Sequence, residues 1–220
     1  MGNITLLRTD NIVSFNSNSI GILDIFKKRK KEKYMTVLVE DINRIISSDY
    51  VDSTFVMTHI LNKICQLVNA EYGFIGRIEY TAEGVPQMYT YAISNIAWNS
   101  ASFDFYQAHL DAPVMFNSAD TLFGDAIKAN KTVIVNSYDP ERLRLPAGHP
   151  MIKRFMGVPF SFGNGSRPVC IAGLCNKLRK FDKVDALHVT KILNIVAYMF
   201  LNSNPGVPRS LVSHGSIQNS

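Results

Sequence analysis

The chain has 220 residues, 46% hydrophobic and 19% charged, which is material for one folded domain with flanking segments. No apolar run approaches the roughly 20 residues of a membrane-spanning helix, so a transmembrane protein is not expected. Removing the six cations and one carboxylate of a single run, Lys27-Lys28-Arg29-Lys30-Lys31-Glu32-Lys33, from the 23 basic and 18 acidic residues leaves 17 of each. The net charge of +5 is therefore one short segment, which argues against a nucleic-acid-binding core.

The opening stretch, MGNITLLRTDNIVSFNSNSIG, lacks a basic region followed by an apolar one and does not read as a secretory leader. Met1-Gly2 opens like a myristoylation signal, but Leu6 stands where Ser or Thr is needed. The basic run reads as a nuclear-import signal, a patch for phosphate or a membrane surface, or a solvated stretch ahead of a helix. Ile22, Leu23, Ile25 and Phe26 precede it, a combination suited to an anionic membrane surface. Three cysteines, Cys65, Cys170 and Cys175, fit a reducing compartment better than a disulfide scaffold, so the expected location is cytoplasmic. No cysteine or histidine spacing suggests a metal site.

In chain order, residues 1–33 are polar and then basic, and are expected to be poorly ordered with one short helix at 20–30. Val37, Leu38, Asp41, Ile42 and Ile45 give a helical stripe over 34–47. A second helix is predicted over 52–69, capped by Asp52 or Ser53, with Phe55, Val56, Ile60, Ile64, Leu67 and Val68 inward. His59 borders that face and reads as a packed histidine rather than a ligand. Strands at 72–80 and 87–93, joined by Ala-Glu-Gly-Val-Pro, read as a hairpin. Residues 95–118 carry Trp98, Phe103, Phe105, Tyr106 and Phe116 without a clean period and are expected to fold over a cavity or the core.

Further on, Ser118 is the predicted cap of a helix at 119–129, which Asn130 ends. Strands are predicted at 132–135, about 155–162 and 168–175. Cys170 and Cys175 then point to opposite faces. A final helix over 183–201 carries Val184, Leu187, Ile192, Ile195, Val196, Met199 and Phe200, and 202–220 reads as a flexible tail. Hairpins at both ends argue for one antiparallel sheet with helices packed on it rather than a Rossmann arrangement.

Three strings carry a family resemblance: TLFGDAIKANKTVIVNSYDPE (121–141), LPAGHPMIKRFMGVPF (145–160) and VCIAGLCNK (169–177). They resemble the GAF domain, a sensor module related in architecture to PAS domains, and in particular a subgroup attached to bacterial histidine kinases and cyclases. The likeness covers about 50–201. It implies an α/β fold of the α+β type, with the domain over 34–201. Its central antiparallel sheet has five or six strands. Helices 34–47, 52–69 and 183–201 lie on one face, and residues 95–129 and 137–153 cover a pocket on the other.

The resemblance implies binding rather than catalysis. Asn176, Lys177, Phe181 and Asp185 match a pattern of cyclic-nucleotide-binding relatives, but Ala186 stands where that pattern has Glu. There the Lys–Asp pair braces the fold, so a Lys177–Asp185 pair is expected to hold the last strand to the last helix. Covalent attachment of a bilin in the usual manner is excluded, because Gly148 rather than Cys precedes His149. His109 and His149 are the histidines weighed as haem ligands, with nothing to place either against a planar cavity. Methionine-sulfoxide-reducing relatives use cysteines near the pocket, yet Cys65, Cys170 and Cys175 read as buried and inert.

The candidate small-molecule site comprises Phe105, Phe123, Asn136, Asp139, Arg142, Arg144, His149 and Phe155, with the cofactor or ligand unknown. The arginines are suited to a carboxylate or phosphate. Asp139 before Pro140, and His149 before Pro150, serve equally well as turn-setting residues. The leading reading is a regulatory domain that senses a small molecule without catalysis. Its alternative is an interaction or dimerisation module whose pocket is filled by its own side chains. No output motif is present, so the expectation is either a separate output protein or a stand-alone domain with a binding or interaction role, and a homodimer through helices 34–47 and 183–201.

Overall fold

The computed structural model describes residues 4–7, 22–46, 53–94, 114–117, 121–137, 149, 151–163 and 165–202. Its elements run β1 (Ile4–Leu7), α1 (Ile22–Ile46), α2 (Ser53–Val68), β2 (Tyr72–Tyr80), β3 (Pro86–Ile93), β4 (Val114–Asn117), α3 (Leu122–Ala129), β5 (Thr132–Val135), β6 (Phe155–Phe160), β7 (Cys170–Cys175) and α4 (Lys183–Asn202). The strands form one sheet in the order β1-β5-β6-β7-β2-β3-β4. Every pairing in it is antiparallel.

Alternation along the central strands divides the core in two. Cys170, Ala172 and Leu174 point to the side of α1, α2 and α4, where they meet Leu38, Ile42, Ile60, Ile64, Ile192 and Val196. Ile171 and Cys175 point to the opposite side, with Tyr72, Ile78, Met88, Phe155 and Ile127. The expected division of the helices holds for α1, α2, α4 and α3, and the two cysteines of β7 do face opposite ways.

Several details differ from the sequence reading. The first helix begins at Ile22 rather than at 34 and absorbs the basic run. Lys, Arg and Glu are good helix formers, and no Gly or Pro interrupts the stretch. Residues 4–7, expected to be poorly ordered, form an edge strand in register with β5, Ile4 opposite Val135 and Leu7 opposite Thr132. That pairing spans more than a hundred residues of chain and leaves no local signal. It brings the sheet to seven strands, one beyond the expected five or six. A second unexpected strand, β4, lies within the aperiodic 95–118 segment and pairs with β3.

The cap of α3 is Thr121, not Ser118: the Gly124 N–H donates to Thr121 Oγ1 at 3.0 Å, and Asn130 ends the helix in the left-handed region at φ 47°. Val37, Phe55, Val184 and Leu187, read as inward, are exposed, as is Tyr198. The buried line of α4 instead runs through Ala186, Val189, Ile192, Leu193, Val196, Ala197 and Phe200. The apolar stripes are wider than the contact, so periodicity alone misplaces their edges. His59 is half-buried, its Nε2 lying 3.2 Å from Asp41 Oδ2. Hydrogen bonds from Arg44 and His59 hold the Asp41 carboxyl below the usual range.

Candidate ligand-binding face

The face of the sheet away from the three long helices is built on two glycines. Gly157 of β6 and Gly173 of β7 are directly opposite each other in register. A Cβ at Gly173 would collide with the Phe74 ring, and one at Gly157 would come within 2.9 Å of the Phe155 ring. The missing side chains let two aromatic rings lie down on the backbone of the central strands. Phe123, from α3, meets Phe74 edge-on with ring centroids 5.7 Å apart. Phe74, Phe123 and Phe155 thus form an aromatic floor over the middle of the sheet.

The floor continues across β2 and β3. Ile78 is opposite Met88 and Gly76 opposite Thr90, while on the far side Met88 is opposite Phe116. Since Met88 and Ile78 belong to the second core, Thr90, two residues along β3, shares their side. Thr90 is 5% exposed, and among the described residues its Oγ1 has no hydrogen-bond partner. A buried hydroxyl left this way costs about 1–3 kcal/mol. Tyr72 closes the other end of the floor, its hydroxyl donating to the Met151 carbonyl at 3.4 Å. Burial, with Cys175 beside it, pushes the Tyr72 phenol up.

Four of the eight candidate residues fall among those the structure describes. Phe123 and Phe155 come together on this floor. Asn136 does not join them in a ligand-like arrangement. Its Oδ1 accepts from the Phe181 N–H at 2.7 Å and its Nδ2 donates to the Phe181 carbonyl at 2.9 Å. The side chain is a clamp between the end of β5 and the segment before α4. His149 is exposed. Phe105, Asp139, Arg142 and Arg144, like His109 and the aromatics Trp98, Phe103 and Tyr106, lie outside the described residues. Sequence reasoning missed Thr90, Met88 and Phe74. The signal was available in Gly157 and Gly173, glycines in the middle of predicted strands, which mark a close approach.

The Asn176–Lys177–Phe181–Asp185 set is a brace. Lys177 Nζ pairs with Asp185 Oδ2, Asp185 being 1% exposed. Lys177 Nζ also stands 5.9 Å from the centre of the Phe181 ring. Asn176, at φ 57°, accepts on Oδ1 from the Lys153 N–H at 2.8 Å and donates from Nδ2 to the Met151 carbonyl at 2.9 Å. Each group of the pattern is thus engaged with another part of the fold.

The thiols are poor nucleophiles. Cys65, Cys170 and Cys175 are unpaired and buried. Burial pushes the Cys65 and Cys175 thiols up to about 12 and raises Cys170 as well. Cys170 lies on the helix side, where its Sγ is 3.9 Å from the Leu193 carbonyl, away from the aromatic floor. Among the described residues no group of His, Cys, Asp and Glu could hold a metal ion. A separate open groove of about 630 Å³ lies where α2 ends, between Asn62, Gln66 and Asn69 on one side and Asn176 and Leu178 on the other.

A sheet of this order with long helices on one face and an aromatic floor on the other defines a mixed α/β module built on one antiparallel sheet. The family model for the GAF domain matches residues 52–197, and the chain belongs to that family. Among solved structures it is similar to the GAF domain of a phosphoenolpyruvate-protein phosphotransferase from Coxiella burnetii, at 11% identity and TM-score 0.57, over 78% of this chain and 93% of that one. The corresponding domain from Acinetobacter matches at 12% identity and TM-score 0.57, over 90% and 100%. The free methionine-R-sulfoxide reductase of Neisseria meningitidis, in complex with its substrate, matches at 16% identity and TM-score 0.53, over 81% and 94%. These likenesses establish the fold. No curated protein sequence matches the chain. No helix among the described residues is long and apolar enough to cross a membrane.

Proposed function

We propose that the chain is a non-catalytic regulatory domain that senses a small molecule on the aromatic floor of its sheet. The observation that carries this reading is Thr90: a buried hydroxyl with no hydrogen-bond partner among the described residues, opposite Gly76 and Val114, on the same side as Met88, Phe74 and Phe155. A ligand that accepts or donates one hydrogen bond there, with a flat apolar body against the rings, would satisfy the orphaned group. Phe105, Asp139, Arg142, Arg144 and His149 remain proposed contacts of such a ligand. The non-catalytic part of the reading rests on thiols that burial keeps protonated. The cytoplasmic assignment rests on the same unpaired thiols.

Native and denaturing mass spectra of protein purified without added ligand test the proposal. The expected result is a non-covalent mass that is lost on denaturation and whose occupancy falls in Thr90→Val. A clean apoprotein in which Thr90→Val only raises the melting temperature would overturn it, since an empty buried hydroxyl is better replaced by a methyl group.

A second reading is favoured by the packing of Phe74 and Phe155 onto Gly173 and Gly157. In it the floor is filled by the protein's own rings, and the domain acts through its outer surface, as a homodimer through α1 and α4 or with a separate output protein. Exposed Val37, Val184, Leu187 and Tyr198 on those helices support it. A monomeric mass in light scattering at tens of micromolar would remove the homodimer.

A further inference from the structure

Two loops at one end of the sheet are stitched together and hold apolar residues out into solvent. Asn176 is the stitch, with its Nδ2 on the Met151 carbonyl and its Oδ1 receiving the Lys153 N–H. The Asn176 N–H donates to the Arg154 carbonyl at 2.9 Å, and Arg154 Nη1 donates to the Lys177 carbonyl at 3.1 Å. From this fixed base Leu178 projects 89% exposed and Met151 64% exposed. Their charged neighbours in sequence, Lys153, Arg179 and Lys180, are also exposed. Leu178 is the most exposed large apolar residue described. Two exposed large apolar residues on one hydrogen-bonded base, flanked by cations, make a mixed apolar and basic patch.

The basic run lies at the same end. Helices α1 and α2 are antiparallel, since Asp41 meets His59 while the Tyr34 hydroxyl donates to Gln66 Oε1 at 3.3 Å. Upstream of Tyr34, α1 continues for 12 more residues, whereas α2 ends two residues after Gln66. At about 1.5 Å per residue the segment 27–33 overhangs the end of α2. That end borders the groove that also contains Asn176 and Leu178. Within 27–33 the sequence carries no apolar residue. Arg29 and Lys33 of the overhang are exposed. Carboxylates at this end include Asp24, Glu32, Glu71, Asp182 and Asp185; Asp185 pairs with Lys177, and Asp182 Oδ1 is engaged by the N–H groups of Val184 and Asp185.

We propose that this end of the domain docks on an anionic phospholipid surface. Met151 and Leu178 insert among the lipid headgroups, and Lys153, Arg179, Lys180 and the α1 overhang meet the negative charge. Two apolar tips set among cations are suited to a boundary that is apolar inside and anionic outside. A nucleic acid or an acidic protein would use the cations but leave the apolar tips in water.

The test is co-sedimentation of the full chain with vesicles of phosphatidylcholine alone or of phosphatidylcholine with phosphatidylserine. Binding is expected only with phosphatidylserine and is expected to weaken as salt rises. Replacing Lys153, Arg179 or Lys180 by Gln should lower the partition coefficient about fivefold each. Met151→Ser with Leu178→Ser should lower it about tenfold or more. Unchanged circular dichroism and melting temperature certify the fold, which these exposed positions should not disturb. Equal binding to both vesicle types, or no binding to either, would overturn the proposal. So would loss of binding in the charge variants with full binding in the Met151/Leu178 variant, which would mark a polyanion rather than a bilayer as the partner.

Discussion

Asn136 and Phe181 exchange two hydrogen bonds across 45 residues of chain, the side-chain amide of one closing on the backbone N–H and carbonyl of the other. The end of β5 is thereby tied to the segment that starts α4, so a residue that reads from sequence as a ligand contact has both ends of its amide committed to the fold. Asn136→Ala should cost about 2 kcal/mol, from two lost bonds and a stranded N–H. Denaturant unfolding measures this. Occupancy of any copurifying ligand, scored by native mass spectrometry at a temperature where the variant is folded, should not change.

Lys177 and Asp185 form the second tie to α4. The carboxylate is almost wholly buried and also accepts from the Asp182 N–H at 3.2 Å, so removing Lys177 takes away the cation that balances its charge. Lys177→Met should destabilise by about 3–5 kcal/mol, whereas Lys177→Met combined with Asp185→Leu should recover most of the loss. Chemical denaturation of the two variants and of Asp185→Leu alone completes the cycle. Losses that simply add in the double variant would show that the pair does not act as a unit.

The Gly157–Gly173 step is a packing device. Gly173→Ala forces a methyl group into the Phe74 ring and should cost about 1–3 kcal/mol. Phe74→Leu in the same chain should return part of that cost, giving a coupling energy that a double-mutant cycle reads directly. Additive effects would mean that the ring moves aside without resistance. In that event the floor is a gate, and the filled-pocket reading loses its support.

The buried thiols make stability depend on alkaline pH. Cys65 and Cys175 are held near 12 in the folded protein against an ordinary value of 9.0. Below that ordinary value both states keep the proton and the thiols contribute no pH dependence. As pH rises between 9.0 and about 12, the unfolded chain loses protons that the folded protein keeps. Stability should therefore fall, by about 1.4 kcal/mol per pH unit for each thiol. Melting temperatures across that range, compared with Cys65→Ala and Cys175→Ala, isolate the effect. Native protein should also resist a thiol-reactive disulfide reagent at pH 8, with all three cysteines reacting after denaturation.

The sequence by itself determined the family, the hairpin of β2 and β3, the second helix and the last, the opposed directions of Cys170 and Cys175, and the Lys177–Asp185 brace. These rest on local signals: alternation, helical period, turn residues, and a short motif whose members lie close in the chain. Phe123 and Phe155 were legible for the same reason as aromatics of the sheet face away from the long helices. Only the tertiary structure decided that Ile4–Leu7 closes the sheet against β5, that Asn136 is a clamp, and that Thr90 is a buried hydroxyl. It also decided that Met151 and Leu178 stand together at one end of the molecule. Each of these depends on groups brought together from distant parts of the chain. A side chain's partners, and hence its role, are set by that meeting and not by its neighbours in sequence.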